Sequence, residues 1–305
     1  MEDMKNSGRN TDLLKDAALL SQIGEEKNLK TRLKKMAGEN KLAVFSAFVI
    51  VLLILGAVFA PYLTPYSYAA MDLRHRLSAP SSLHLLGTDE GGRDILTRLL
   101  YGSRISLLTG VVPALLSLAL GTVLGILSGF AGGKIDAVIM RLADIMLAIP
   151  SMLLAMVIMY TLGGGLGNVF LTLTLVNWAG VSRIVRSETL RLKKTEYVEA
   201  ARVMGVTDRM IMLRHILPNC FPTMIVLFTL NIPSSILTES GLSFLGLGVQ
   251  APDASWGLMI NAGRQYLYNA PWLSFAPGIA IMVTVLAFNF LGDGLRDVLD
   301  PHLET

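Results

Sequence analysis

Long apolar runs divide this chain and constrain its fold more than any other feature. The first, 42–60, contains no charged residue, and five further runs follow it. A helix of about 20 consecutive apolar residues is enough to cross the hydrocarbon core of a bilayer. The later runs are 106–130, about 145–162, 166–182, 221–238 and 273–291. The chain is therefore predicted to be an all-α membrane protein with about six transmembrane helices.

The composition agrees with a membrane protein and argues against an enzyme. Hydrophobic residues make up 52% of the 305 residues and charged residues only 16%, which is too apolar for an ordinary soluble domain. The four histidines form no zinc-binding or nucleophilic pattern. Gly133 and Lys134 lack the flanking residues of a phosphate-binding loop. We expect a non-catalytic chain with no cofactor or metal of its own and no nucleic-acid partner.

The distribution of basic residues predicts the orientation of the chain. Lys and Arg are concentrated in cytoplasmic connections of membrane proteins. Six predicted spans place both termini on one side, together with the connections near 134 and 183–219, and this group contains most of the 26 basic residues. The other connections carry only Arg74, Arg76, Arg93, Arg98, Arg104 and Arg264. The N- and C-termini are therefore predicted to be cytoplasmic.

The most informative segment is the cytoplasmic connection 183–219, which is charged and helix-forming between two apolar runs. A helix is predicted over 196–204, because Gly205 can adopt the left-handed conformation that ends a helix. Thr207 and Asp208 can then cap a second helix and place a negative charge at its positive end. The predicted helix-turn-helix would protrude from the membrane. An ordinary amphipathic surface helix with a glycine stop is the simpler alternative.

This segment resembles the EAA loop of ABC importer permeases. The sequence pattern of that loop is Glu-Ala-Ala, then any three residues, Gly, any nine residues and finally Ile-x-Leu-Pro. His215 stands in the slot of the isoleucine, and Asn219 follows the motif. The matching residues are Glu199, Ala200, Ala201, Gly205, Leu217 and Pro218. Ala200 and Ala201 would let a partner approach the helix backbone closely, and Glu199 would offer it a charge.

Two other segments are similar to segments of the permeases of the dipeptide, oligopeptide and nickel branch. Within that branch the resemblance is to the C-type subunit. One is GTDEGGRD at 87–94, where opposite charges can pair across a glycine turn, and the other is ESGLSFLGLG at 239–248. The second is expected to form an external or re-entrant hairpin over 239–272. Aromatic residues such as Trp256 would then lie at the membrane surface.

The resemblance implies a type I ABC importer permease fold with a cytosolic coupling-helix loop. It implies a second homologous permease subunit, two ATP-binding subunits that use ATP and Mg, and an external solute-binding protein, in a bacterial or archaeal cell membrane. Peptides would be the solute, with nickel chelates or glutathione as alternatives. Residues 1–41 would be a cytosolic tail with a possible interfacial helix, 42–305 the permease domain, and 61–105 an external loop.

A proton-coupled secondary transporter is the alternative from a different class. It would use intramembrane carboxylates as proton relays, although the sequence shows no convincing inverted repeat. Asp144 is three residues from Arg141 and can pair with it on one helix face. Glu239 and Asp293 lie at predicted span ends, where water can reach them. The candidates for pathway or gating residues are Asp144, Pro150, Asn231, Glu239 and Asp293.

Overall fold

A computed structural model describes residues 40–250 and 253–299, and these residues form a helical bundle. The helices are α1 (Lys41–Val58), α2 (Ala60–Leu63), α3 (Ile95–Ala131), α4 (Gly133–Ala148), α5 (Ser151–Leu162), α6 (Leu166–Leu192), α7 (Glu196–Val203), α8 (Asp208–Ile211), α9 (Leu217–Phe244), α10 (Trp256–Gly263) and α11 (Trp272–Leu299). The predicted interfacial helix of the tail lies outside the described residues.

Five of these helices are long and apolar enough to cross a membrane, and a bent pair makes a sixth possible span. This confirms the predicted fold class. The third span was predicted as one run over about 145–162, and this was wrong, because α4 and α5 meet at an angle of 94°. The break falls at Ile149 and Pro150, since a residue before proline is disfavoured in the helical conformation. The apolar run therefore crosses from one helix into the next.

The centre of the bundle is the pair α3 and α6, which pack against each other along a line of glycines. Gly121, Gly125 and Gly129 recur every four residues and so lie on one face of α3. A Cβ atom added to Gly125 would lie 2.7 Å from the carbonyl oxygen of Ser182 on α6. The two backbones can approach this closely only because α3 has no side chains there.

The connection 64–94 folds over one end of the bundle, which we call the loop end. Arg93 forms ion pairs of 2.7 Å with both Asp89 and Glu90, so the predicted pairing across the glycine turn is confirmed. Gly92 has a φ of +71°, which favours glycine. On the exposed rim of the connection, a hydrogen bond from His75 lowers the pKa of the Asp72 carboxyl. This connection is thus an ordered structure held by ion pairs.

The segment after Glu239 is partly helical, and its external or re-entrant placement over 239–272 stays a prediction. Residues 239–244 are the last turns of α9, and α10 packs beside α9 and α11 at the loop end. Trp256 is only 1% exposed, so its predicted place at the membrane surface was wrong. Its indole Nε1 donates to the Leu99 carbonyl at 3.1 Å, and its backbone N–H donates to Ser106 Oγ at 3.0 Å. These bonds fix α10 to α3.

Candidate coupling site

The helix α7 projects beyond α6 at the end of the bundle opposite the loop end, which we call the coupling end. It begins after a short connection that follows Leu192. Val198 and Ala201, three residues apart on one face, are 0% and 2% exposed. They pack in an apolar cluster with residues such as Ile211, Ile216 and Cys220. The buried face of α7 therefore seats the helix on its own chain, and the opposite face remains exposed.

The end of α7 is formed by a glycine in the left-handed conformation, as the sequence predicted. Gly205 has a φ of +79°. Its N–H donates to the Arg202 carbonyl at 3.0 Å, and the Val206 N–H donates to the Ala201 carbonyl at 3.1 Å. These two bonds are those of a Schellman motif, which satisfies carbonyls that a helix end leaves free. The chain direction beyond α7 is therefore set by the conformation of Gly205.

The second arm of the site leads back into the bundle. Thr207 occupies the N-cap position of α8 but its side chain makes no capping hydrogen bond, while Asp208 places a negative charge in the first turn. A π-helical turn, Met212–Ile216, joins α8 to α9, and the Leu217 N–H bonds to the carbonyl of Met212 five residues back. Pro218 follows at the start of α9 and lacks the N–H that a regular helix would use there.

The tip of α7 exposes two large apolar side chains, Val203 at 88% and Met204 at 76%. Glu199 and Ala200 are also exposed on this helix, whereas Ala201 is buried within the chain. The expectation that both alanines face a partner is therefore wrong for Ala201, which serves internal packing. Sequence reasoning did not single out Val203 and Met204, although apolar residues directly before a helix-ending glycine were a signal. We call the four exposed residues Glu199, Ala200, Val203 and Met204 the tip surface.

The remaining motif residues lie in the second arm rather than on the tip surface. His215 is half-buried beside Tyr197, with their ring centroids 6.4 Å apart. Asn219 is exposed and donates from Nδ2 to the His215 carbonyl at 2.6 Å. Leu217 is half-buried and Pro218 exposed. These residues shape the return of the chain into α9.

An ion pair braces the coupling end between α4 and α6. Arg186 donates from Nε and NH2 to the two carboxylate oxygens of Asp136 at 2.5 and 2.6 Å, in a bidentate arrangement. Ser128 on α3 also donates to this carboxylate. Bidentate pairs between arginine and carboxylate have defined geometry and strong hydrogen bonds. The pair therefore links three helices close to the base of α7.

The predicted pathway residues do not form one site. Asp144 pairs with Arg183 on α6 and not with Arg141, so that prediction was wrong, because the neighbouring helix presents a closer cation. Pro150 lies at the break between α4 and α5. Asn231 uses its amide group to donate to the Leu227 carbonyl of its own helix at 2.8 Å. Asp293 is exposed on α11. Their role as pathway or gating residues stays a prediction.

Glu239 is 0% exposed, so the expectation that it reaches water at a span end was wrong. Its Oε1 accepts a hydrogen bond of 2.6 Å from Ser243, and its Oε2 has no partner among the described residues. Ser255, the N-cap of α10, lies in the same polar cluster, with its Oγ 3.5 Å from Ser243 Oγ. The carboxyl group therefore lies inside the packing of α9 against α10.

Comparison with known proteins gives consistent matches over most of the chain. Residues 121–305 match the family described as "Binding-protein-dependent transport system inner membrane component", and residues 38–80 match the "N-terminal TM domain of oligopeptide transport permease C". The oligopeptide transport system permease protein OppC of Bacillus subtilis is 44% identical over 264 residues, which is 87% of this chain and 87% of that protein.

Two further relatives have the same identity. The dipeptide transport system permease protein DppC of Alkalihalophilus pseudofirmus is 44% identical over 89% of both chains. The glutathione transport system permease protein GsiD of Pectobacterium atrosepticum is 44% identical over 87% of this chain and 88% of its own. An inward-facing structure of the MetNI methionine ABC transporter matches with a TM-score of 0.55 at 19% identity, over 67% of this chain and 96% of that one. That likeness supports the fold.

Proposed function

Because the chain belongs to the family of binding-protein-dependent transport system inner membrane components, and is an ABC permease subunit, we propose that it imports peptides. An external solute-binding protein would deliver them. Relatives named for oligopeptides and dipeptides are similar to this chain over most of its length. A relative named for glutathione keeps that solute as an alternative. Nickel chelates, imported by the same architecture, are the other alternative.

The observation that carries the proposal is the tip surface of α7. Large apolar side chains exposed together outside the membrane indicate a surface that binds another protein. Here the apolar pair lies at the far end of a helix whose other face is anchored in the bundle. A subunit bound at the tip surface could therefore move the helices behind it. We assign this surface, which belongs to the coupling segment 183–219, to an ATP-binding subunit. That partner would bind ATP and Mg.

The transport cycle would follow from that contact. Two permease subunits would enclose the pathway, and each would present its α7 to one of two ATP-binding subunits. Exposed apolar side chains on α4, α5 and α9 would face lipid or the second permease subunit, since burial of such surface is favourable. Closure of the ATP-binding subunits would shift α7 and turn the pathway outward. None of the residues of this chain would make or break a covalent bond.

The proton-coupled alternative receives less support. A relay carboxylate must exchange its proton with a water-accessible pathway. Asp144 is engaged by Arg183, and Glu239 is enclosed between helices. Membership of a binding-protein-dependent family also favours an external motor over a proton gradient.

A Met204→Asp variant is expected to weaken binding of the ATP-binding subunits at least about tenfold, which corresponds to roughly 1.4 kcal/mol. The charge would be placed in the centre of the proposed contact and lose its hydration there. Co-purification of tagged subunits measures binding, and uptake of tritiated trialanine into proteoliposomes measures transport. Tyr268→Asp, which changes an exposed apolar residue at the loop end, is the control.

Two results would contradict the proposed function. One is Met204→Asp complexes that retain both their ATP-binding subunits and ATP-dependent uptake. The other is accumulation driven by a proton gradient in liposomes that contain the permease subunits without any ATP-binding subunit.

The proposed orientation places the coupling end in the cytoplasm of a bacterial or archaeal cell. In a Cys220→Ala background, cysteines at the exposed positions Ser82 and Lys194 are expected to label oppositely. An impermeant maleimide added to intact cells should modify the cysteine at 82 and spare the one at 194 until the cells are lysed. Labelling of position 194 in intact cells would reverse the topology.

A further inference from the structure

Phe130, the penultimate residue of α3, joins three helices at the coupling end. Its ring is 5% exposed and belongs to the apolar cluster that seats α7. Lys193, where α6 ends, places its Nζ 5.2 Å from the ring centroid and donates to the Phe130 carbonyl at 2.5 Å. Arg202 of α7 places its guanidinium carbon 5.7 Å from the same centroid. One aromatic side chain thus receives a cation from each of two neighbouring helices.

Both contacts are favourable on elementary grounds. The carbonyl of Phe130 is among the last four of α3 and has no partner within the helix, so the Lys193 ammonium group satisfies it. A cation at this end also complements the negative end of the helix dipole. The π face of the ring attracts both cations. The contact therefore fixes the end of α3 to α6 and α7 more firmly than apolar packing alone.

The joint supplies a contact that the chain order does not, because α3 has no direct chain connection to α7. The chain leaves α3 at Gly132 and enters α4, whereas α7 follows α6. Val181, Val185 and Thr189 of α6 lie directly against the glycines of α3, so these two helices pack closely along their length. The Phe130 contact adds a link from the end of α3 to α7 itself.

Movement of α3 would also affect the loop end of the bundle. A 37-residue helix such as α3 is about 55 Å long. At its other end, α3 contacts Trp256 of α10 through Ser106 and Leu99. A shift of α7 that is transferred to α3 therefore also reaches the polar cluster at α10. Without the joint, movement of α7 would reach α3 only through α6.

We propose that Phe130, together with Lys193 and Arg202, is the joint that transfers movement of the coupling helix α7 to α3, so that these three are positioning residues for transport. The inference rests on the proposed function, because it takes the tip surface as the place where ATP-dependent force enters. None of the three belongs to that surface. Their loss would uncouple ATP hydrolysis from solute movement without removing the ATP-binding subunits.

The test uses the complete reconstituted complex with its binding protein and measures tritiated trialanine transported per ATP hydrolysed. Arg202→Met keeps the apolar stem and removes the cation, and Phe130→Leu keeps an apolar residue and removes the π face. Each is expected to lower the transport ratio about fivefold or more. The double variant is expected to be no worse than Phe130→Leu alone, because that substitution already removes the contact between the ring and Arg202. Arg202→Lys, which retains the cation, should stay close to the wild-type ratio.

The outcomes separate this inference from the proposed function. The joint is supported if Arg202→Met still co-purifies with the ATP-binding subunits but transports less trialanine per ATP, and if Arg202→Lys stays close to the wild-type ratio. A wild-type ratio in Arg202→Met, or a double variant in which the two losses multiply, overturns it and leaves the proposed function standing. Failure of the wild-type permease to bind ATP-binding subunits would instead refute the proposed function. If Phe130→Leu does not assemble, the two Arg202 variants decide the question, since Arg202 is exposed.

Discussion

A Gly205→Val variant is expected to insert into the membrane and to lose most of its peptide uptake. The residue has a φ of +79°, where a β-branched side chain costs roughly 1–2 kcal/mol. An added Cβ would meet no atom within 4 Å, so the strain comes from the backbone and not from a clash. Relief of that strain would break the Schellman bonds and turn the tip surface away from its partner. Uptake of tritiated trialanine and ATP hydrolysis stimulated by the binding protein measure the loss.

The matched control is Gly205→Asn at the same position. Asparagine adopts the left-handed conformation far more readily than valine, so most of the uptake should remain. Equal losses in both variants would show that the left-handed turn is not the relevant property. Wild-type uptake by the valine variant would show that the turn has no part in coupling.

A Gly125→Ala variant is expected to destabilise the folded subunit by about 1–3 kcal/mol, as overpacking of a close contact does. The new methyl group would lie 2.7 Å from the Ser182 carbonyl oxygen and 2.9 Å from the Val185 Cβ, so the backbones of α3 and α6 would have to separate. Thermal unfolding of the purified complex in detergent, followed by tryptophan fluorescence, measures the change. Transport should fall in parallel with the folded fraction.

The control is Gly278→Ala in α11, where an added Cβ would meet nothing within 4 Å. That substitution removes a flexible residue from a helix and is expected to be neutral or to stabilise by up to about 1 kcal/mol. If both variants unfold at the same temperature, the close packing of α3 on α6 is not what the glycine face provides.

Features that depend on local sequence were predicted well. Apolar runs mark membrane helices because a polar backbone in lipid must satisfy its own hydrogen bonds, and the five long helices correspond to five of the six predicted runs. The turn at Gly205 was predicted because few residues other than glycine adopt its conformation easily. The pairing of Arg93 with acidic neighbours was predicted because those residues are close in sequence.

Features that depend on which helices meet were missed. The partner of Asp144 comes from α6, 39 residues away, although Arg141 lies nearer in sequence. The burial of Glu239 and Trp256 follows from α10 packing beside α9, which no spacing along the chain indicates. Ala200 and Ala201 are equivalent as residue types, yet only one of them faces the bundle.

The sequence by itself therefore determined the class of protein, the approximate membrane spans and the left-handed turn that ends α7. These properties depend on hydrophobicity and on the conformational range of single residues, both of which act locally. Only the tertiary structure decided which face of α7 is free, that Val203 and Met204 form its tip, and that Lys193 and Arg202 both approach the ring of Phe130. Those contacts join residues far apart in the chain, and their existence depends on how the helices pack against one another.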